Sequence, residues 1–138
     1  MILYIDTHHG DTSTLATANR AGLVVRQRVL HHDRDQSVQL LPAIEALLRS
    51  SKLKLTDITG IGVVQGEGGF TALRLGISTA NALAYALHIP VVGIMHRETE
   101  RLETRLQKIA RSLKTTRGKL RLVMPKYGRS PNITHPKK

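Results

Sequence analysis

Three groups of residues have types and spacings that could do chemistry. The first is Gly66-Glu67-Gly68-Gly69-Phe70-Thr71, a glycine-rich turn ahead of an uncharged run, of the kind whose backbone N–H groups can cradle a phosphate. A phosphate loop of the G-x-x-x-x-G-K-[ST] type also needs a lysine to reach the terminal phosphates. This loop has none, and Glu67 would repel an anion. The glycines are therefore expected to make a sharp strand-to-helix turn, with Thr71 capping or beginning the helix. The second group is the carboxylates Asp6, Glu45 and Glu67, which two-metal phosphodiester hydrolysis would have to gather around one substrate. The apolar run ends in Gln65-Gly66 where a further acid is needed, and Glu67 stands one place late. The third is His96 and Glu100, four apart, which is a metal-ligand spacing on a helix and equally an ordinary one on a solvated face. His8, His9, His31 and His32 make a weaker case. No catalytic residue, metal ligand or cofactor is predicted.

Composition narrows the setting. At 138 residues the chain is one domain's worth, with 41% hydrophobic and only 3% aromatic residues, so its core must be built from Leu, Ile, Val and Ala. Cysteine is absent, which excludes disulfides, thiolate metal sites and cysteine nucleophiles. The opening MILYID meets a charge too early for a signal peptide, and no apolar stretch has the roughly 20 residues of a membrane helix. A cytoplasmic protein is expected. The net charge of +11 is uneven: up to His96 eight basic residues face seven acidic ones, whereas from Arg97 onward thirteen face three. Such a basic third is either a solvated face or an electrostatic footprint for RNA or an acidic partner.

The elements that must position these residues follow from periodicity. MILYID, STLATAN and LVVRQRVLH read as three successive strands, with the NRAG turn between the second and third. Leu40, Leu41, Ile44, Leu47 and Leu48 recur at helical spacing and predict a helix over about 35–51, which Pro42 either starts or kinks. DITGIGVVQG is a fourth strand, residues 70–87 a second helix and IPVVGI a fifth strand. The order βββαβαβ is that of a ribonuclease H-like α/β half-domain, over residues 1–96. Leu102, Leu106, Ile109 and Leu113 then mark a basic amphipathic helix within 97–118, and residues 119–138 form an extended tail, with Met124 and Tyr127 as possible anchors on the sheet.

From DITGIGVVQGEGGFTALRLGISTANALAYALHIPVVGI the chain resembles the bacterial tRNA threonylcarbamoyladenosine biosynthesis protein TsaB (YeaZ) family. The F-T-x-[LV]-R-x-G core sits after the expected strand and opens the expected helix. MILYIDT, QLLPAIEALL and the closing MPKYGRSPNIT agree with the family's first strand, first helix and tail. Glu67, Gly69 and Ala72 depart from the pattern, as does THH after Asp6, and most of a second lobe is missing. Related folds hold ATP between two lobes; with residues for only one, an isolated ATP site is not expected even if Asp6 and Thr7 take the first-loop position. The catalytic paralogue TsaD has a His-x-x-x-His metal motif after the equivalent strand, whereas this chain has His96 but Glu100.

The resemblance implies a non-catalytic scaffold that stabilises a TsaD-like subunit in threonylcarbamoyladenosine modification of tRNA, with a TsaE-like ATPase joining the assembly. One stripe of the second helix, Leu73, Ile77, Ala80, Ala84 and Leu87, can face the sheet. A second, mostly small stripe can meet a partner helix. Leu41, Ile44, Leu48, Phe70, Arg74, Gly76, Thr79 and Leu83 are the expected partner interface, which could also support a homodimer. Arg74 either pairs across it or ties down the glycine loop. Arg97, Arg101, Arg105, Lys108 and Arg111 are the expected tRNA contacts. The alternatives are a stand-alone basic RNA-binding module and, less favoured, a metal-dependent nuclease.

Overall fold

The computed structural model describes residues 1–32, 36–116 and 121–127, and of Phe70 only the backbone. Among the described residues are five strands, β1 (Ile2–Asp6), β2 (Thr12–Ala18), β3 (Val24–His31), β4 (Gly60–Gly66) and β5 (Val91–Met95), and three helices, α1 (Gln36–Ser50) after β3, α2 (Phe70–Leu87) after β4 and α3 (Leu102–Thr115) after β5. They form one sheet in the order β3-β2-β1-β4-β5. The first three strands are an antiparallel meander, and β4 and β5 add parallel to β1. A connection through a helix is what a parallel pair requires. This is the α/β, ribonuclease H-like half-domain expected from the order of elements.

The sheet lies between two apolar layers. On one face Leu3, Ile5, Leu15, Ile61 and Val63 pack with Leu40, Ile44 and Leu47 of α1 and with Leu73, Ile77, Ala80 and Ala84 of α2. Four residues of the predicted stripe of α2 are thus buried, and Leu87 at its end is partly exposed. On the other face Ile2, Tyr4, Ala16, Val64 and Val92 meet Leu106, Ile109 and Ala110 of α3. Close approach of α3 depends on β4 having glycine where it crosses: a Cβ on Gly62 would collide with Ile109, and one on Gly60 with Leu113.

The structure sharpens three local expectations. Pro42 does not start α1, which begins at Gln36 and continues through the proline. The third helix begins only at Leu102, after Arg101 as its N-cap, so Arg97–Arg101 are not helical. Of the tail, residues 121–127 form neither helix nor strand, and 128–138 lie outside the described residues. Val123 is buried and exchanges hydrogen bonds with Asn81 of α2, and Tyr127 packs against the first core cluster. Met124 is 71% exposed and anchors nothing.

Candidate functional site

The C-terminal ends of β1 and β5 converge on a cluster of histidines. Parallel β1, β4 and β5 end on the same side, so Asp6 and the turn after it come beside His96, across β4. The His8 Nδ1 lies 2.5 Å from Asp6 Oδ1, and the His8 backbone N–H donates to the same oxygen at 3.1 Å. The His8 and His96 rings stack with centroids 3.7 Å apart, and His9 lies 3.8 Å from His8. The other Asp6 oxygen accepts from the Tyr4 hydroxyl at 3.2 Å and faces Arg105 Nη1 at 3.6 Å.

Burial opposes ionisation of Asp6, but the hydrogen bond and charge of His8, with the more distant charge of His96, outweigh it and hold the carboxyl below its usual range. Burial, then the charges of His8 and Arg105, pulls His96 below the ordinary imidazole value. Burial, followed by the Asp6 charge, pushes the Tyr4 hydroxyl far up. An ionised Asp6 can only accept, so His8 Nδ1 is the donor. His8 Nε2 and His96 Nδ1 are both buried without a hydrogen-bond partner.

The metal motif of the catalytic paralogue does not fit here. Glu100 is not one helical turn from His96; it is paired with Lys108 and lies 3.7 Å from Arg105. Asp6, His8 and His96 are the group that can share an ion among the described residues. Glu45 instead pairs with Arg49 on the exposed face of α1, and Glu67 is exposed in its loop, so the carboxylates a nuclease would use are not gathered. Sequence reasoning passed over His8 because only the sheet brings it to His96; the unusual THH after Asp6 was the available signal.

On the opposite layer, Leu41, Pro42, Ile44, Glu45, Leu48, Leu53, Leu55 and Leu83 line part of an open groove of about 520 Å³ between α1, α2 and the turn at Leu55–Asp57. It joins four of the expected interface residues: Leu41, Ile44, Leu48 and Leu83. Leu41 is 55% exposed, whereas Ile44 and Leu48 are buried core residues that form the groove floor. Thr79 is partly buried. The Phe70 side chain lies outside the described atoms. Gly76 is a correction: it is buried, and a Cβ there would collide with Thr7 Oγ1, so its smallness serves a contact within the chain. Thr7 Oγ1 also donates to Ala72 O at 2.5 Å. Arg74 Nε donates to the Tyr127 hydroxyl at 3.1 Å and so holds the tail.

Among the basic residues, Arg97, Arg101, Lys108 and Arg111 are exposed. Arg97, Lys108, Arg111 and Lys126 border a cleft of about 520 Å³ beside β5 and α3. Arg105 is the second correction. It is buried, donating to Tyr4 Oη at 3.0 Å, Arg97 O at 2.9 Å and Glu100 O at 3.2 Å, so it cannot reach a phosphate outside.

Comparison with known proteins agrees with this architecture. A family model described as TsaD, tRNA N6-adenosine threonylcarbamoyltransferase, matches residues 26–115. The tRNA N6-adenosine threonylcarbamoyltransferase of Geotalea uraniireducens is 46% identical over 65 residues, 47% of this chain and 19% of that protein. The tRNA threonylcarbamoyladenosine biosynthesis protein TsaB of Bacillus subtilis is 32% identical over 99 residues, 71% of this chain and 42% of that protein. YeaZ from Pseudomonas aeruginosa superposes with a TM-score of 0.62 at 26% identity, over 68% of this chain and 43% of that one. The chain thus spans less than half the length of each of these relatives. With the family match running from β3 through α3, and with the fold shared with YeaZ, the chain belongs to the TsaD family of tRNA N6-adenosine threonylcarbamoyltransferases and is a TsaB-like protein within it.

Proposed function

We propose that this chain is a non-catalytic, cytoplasmic scaffold in threonylcarbamoyladenosine modification of tRNA, docking on a TsaD-like subunit through α1 and α2. The observation that carries the reading is the leucine-lined groove, where Leu41 and Leu55 remain 55% and 40% exposed beside half-buried Leu53 and Leu83. An apolar groove of this kind offers a partner helix burial that the chain's own fold does not supply. The similarity to TsaB and TsaD proteins supports the same pathway. A TsaE-like ATPase would join the complex, and a homodimer would use the groove when TsaD is absent. The test is co-purification with TsaD from the same organism. Leu41→Asp and Leu83→Asp are expected to abolish association while leaving the far-ultraviolet spectrum unchanged; unimpaired association of both would refute the interface.

A second contact, to tRNA, is favoured by the cleft bordered by Arg97, Lys108, Arg111 and Lys126. If these cations hold phosphates, tRNA affinity falls steeply with salt, and Arg111→Ala with Lys126→Ala flattens that dependence. Point substitution is the proper probe, because removing α3 would uncover the second face of the sheet. Salt-independent binding would refute the contact.

A further inference from the structure

We infer that the free edge of β3, over residues 26–31, binds an extended acidic segment of a partner protein by strand addition. β3 is one border of the sheet, joined to β2 alone, and six of its eight residues are exposed.

The hydrogen-bond pattern identifies which backbone groups are available. The His32 N–H donates to Asp11 O at 2.8 Å, and the register places Leu30, Arg28 and Arg26 opposite Ser13, Leu15 and Thr17. Bonded and non-bonded pairs alternate along an antiparallel ladder, so these three share the parity of His32 and direct their N–H and C=O groups to β2. Gln27, Val29 and His31 direct theirs away from the sheet, where an added strand would meet them. The edge ends at Val25, which has no partner in the register because of a bulge opposite Thr17 and Ala18.

The two faces of this edge differ in chemistry. Leu30 packs on the core under α1 and α2, and Arg26 and Arg28 share its face; Gln27, opposite Ala16, shares the face of α3 with Val29 and His31. Both arginines are exposed, and among the described residues neither has an ion-pair partner. β3 itself carries no acid. Charges on an edge guard it against unwanted pairing, and here they oppose basic strands, a second copy of this +11 chain among them. The same charges attract a strand with carboxylates at alternate positions, whose intervening residues would meet Val29, itself 50% exposed. The occupant is therefore a segment that alternates acidic with apolar residues, the carboxylates opposite Arg26 and Arg28 and the apolar residues bonded to Gln27, Val29 and His31. Phosphates could also neutralise the arginines, but a nucleic acid would leave the outward peptide groups of every second residue unused.

The probe is an acetylated, amidated peptide alternating glutamate with valine, titrated into the full chain and followed by amide hydrogen exchange. On binding, the amides of Gln27, Val29 and His31 should exchange several-fold more slowly, while those of Arg28 and Leu30, already bonded to β2, change little. Since the valines make the backbone bonds, N-methylation of the valines should abolish binding and N-methylation of the glutamates should be tolerated. Glutamine for glutamate in the peptide should weaken binding about tenfold, the worth of two cross-strand ion pairs; Arg26→Glu with Arg28→Glu should weaken it at least as much. Val29→Pro removes an N–H that β2 does not use and should abolish binding in a folded protein. Should that variant not fold, the exchange pattern of the wild type still decides. The inference is overturned if millimolar peptide protects none of the three amides, if the two N-methylated peptides bind alike, or if self-association protects those amides without peptide. Binding of polyuridylate, and not of the peptide, at Arg26 and Arg28 would overturn it as well. This edge contains none of the groove leucines, so failure here leaves the docking reading standing.

Discussion

Arg105→Ala should destabilise the protein by about 3–5 kcal/mol, the range for removing one partner of a buried charge network. Arg105 is 7% exposed, and its guanidinium reaches β1 on one side and the turn before α3 on the other. It donates to the Tyr4 hydroxyl, Arg97 O and Glu100 O, and it lies 3.6 Å from Asp6 Oδ2 and 3.7 Å from Glu100 Oε1. Loss of the donors alone costs about 1 kcal/mol for each acceptor left without a partner. Loss of the charge leaves Asp6 buried with its contacts to His8 and Tyr4 but no guanidinium beside it. Urea denaturation at pH 7, read by circular dichroism, measures the effect. Arg101→Ala, on the exposed N-cap, is the control and should stay within about 0.5 kcal/mol. Arg105→Lys should recover only part of the loss, because one ammonium cannot serve acceptors arranged for a planar fork. A cost below about 1 kcal/mol for Arg105→Ala would refute the network as a structural tie and return Arg105 to the list of RNA contacts.

Gly76→Ala should cost about 1–3 kcal/mol by overpacking against Thr7, and Thr7→Ala combined with it should cost less than the sum of the two; strict additivity in thermal melts would refute the contact. In acid, His96 and Asp6 act in the same direction. His96 has a depressed folded pKa, so its contribution is whole above about pH 6.5 and is lost as pH falls through the folded value; the Asp6 contribution is likewise whole above about pH 3.9 and is lost below it. Urea midpoints should therefore fall from pH 8 to pH 5, less so in His96→Gln, and a rise over that range would contradict the assignment. In the groove, Leu41→Asp should leave stability within about 0.5 kcal/mol while abolishing TsaD association, since this leucine is largely outside the core.

Periodicity made the strands and helices legible, because each apolar stripe is recorded locally. Leu73, Ile77, Ala80 and Ala84 point one way whatever they meet, and the structure puts them on the sheet. Contacts made only by the sheet were not legible. His8 and His96 are 88 positions apart in sequence and meet because β4 alone separates their strands. Gly76 looked like a surface for a partner helix because a small residue carries no mark of what approaches it, and Thr7 is the answer only once β1 lies under α2. Arg105 was grouped with the other cations by charge. Its position, three residues after Leu102 and four before Ile109, already put it beside the apolar stripe of α3, and a buried carboxylate on β1 was the partner to look for.

Alternation along β1 explains how two successive residues can serve the two sides of the molecule. Tyr4 belongs to the core under α3 and Ile5 to the core under α1 and α2. Since side chains on a strand point alternately to opposite faces, Asp6 must follow Tyr4 and Thr7 must follow Ile5. Asp6 accordingly meets Tyr4, Arg105 of α3 and the histidines, while Thr7 bonds to Ala72 O and abuts Gly76 in α2. Both side chains of this dipeptide are taken up inside the chain. Asp6 and Thr7 hold α3 and α2 to the same strand end, with the basic layer and the proposed docking layer on opposite faces of the sheet. A partner seated on the α1–α2 groove would leave the cleft beside α3 uncovered, so a TsaD-like subunit and a tRNA phosphate would not compete for the same surface.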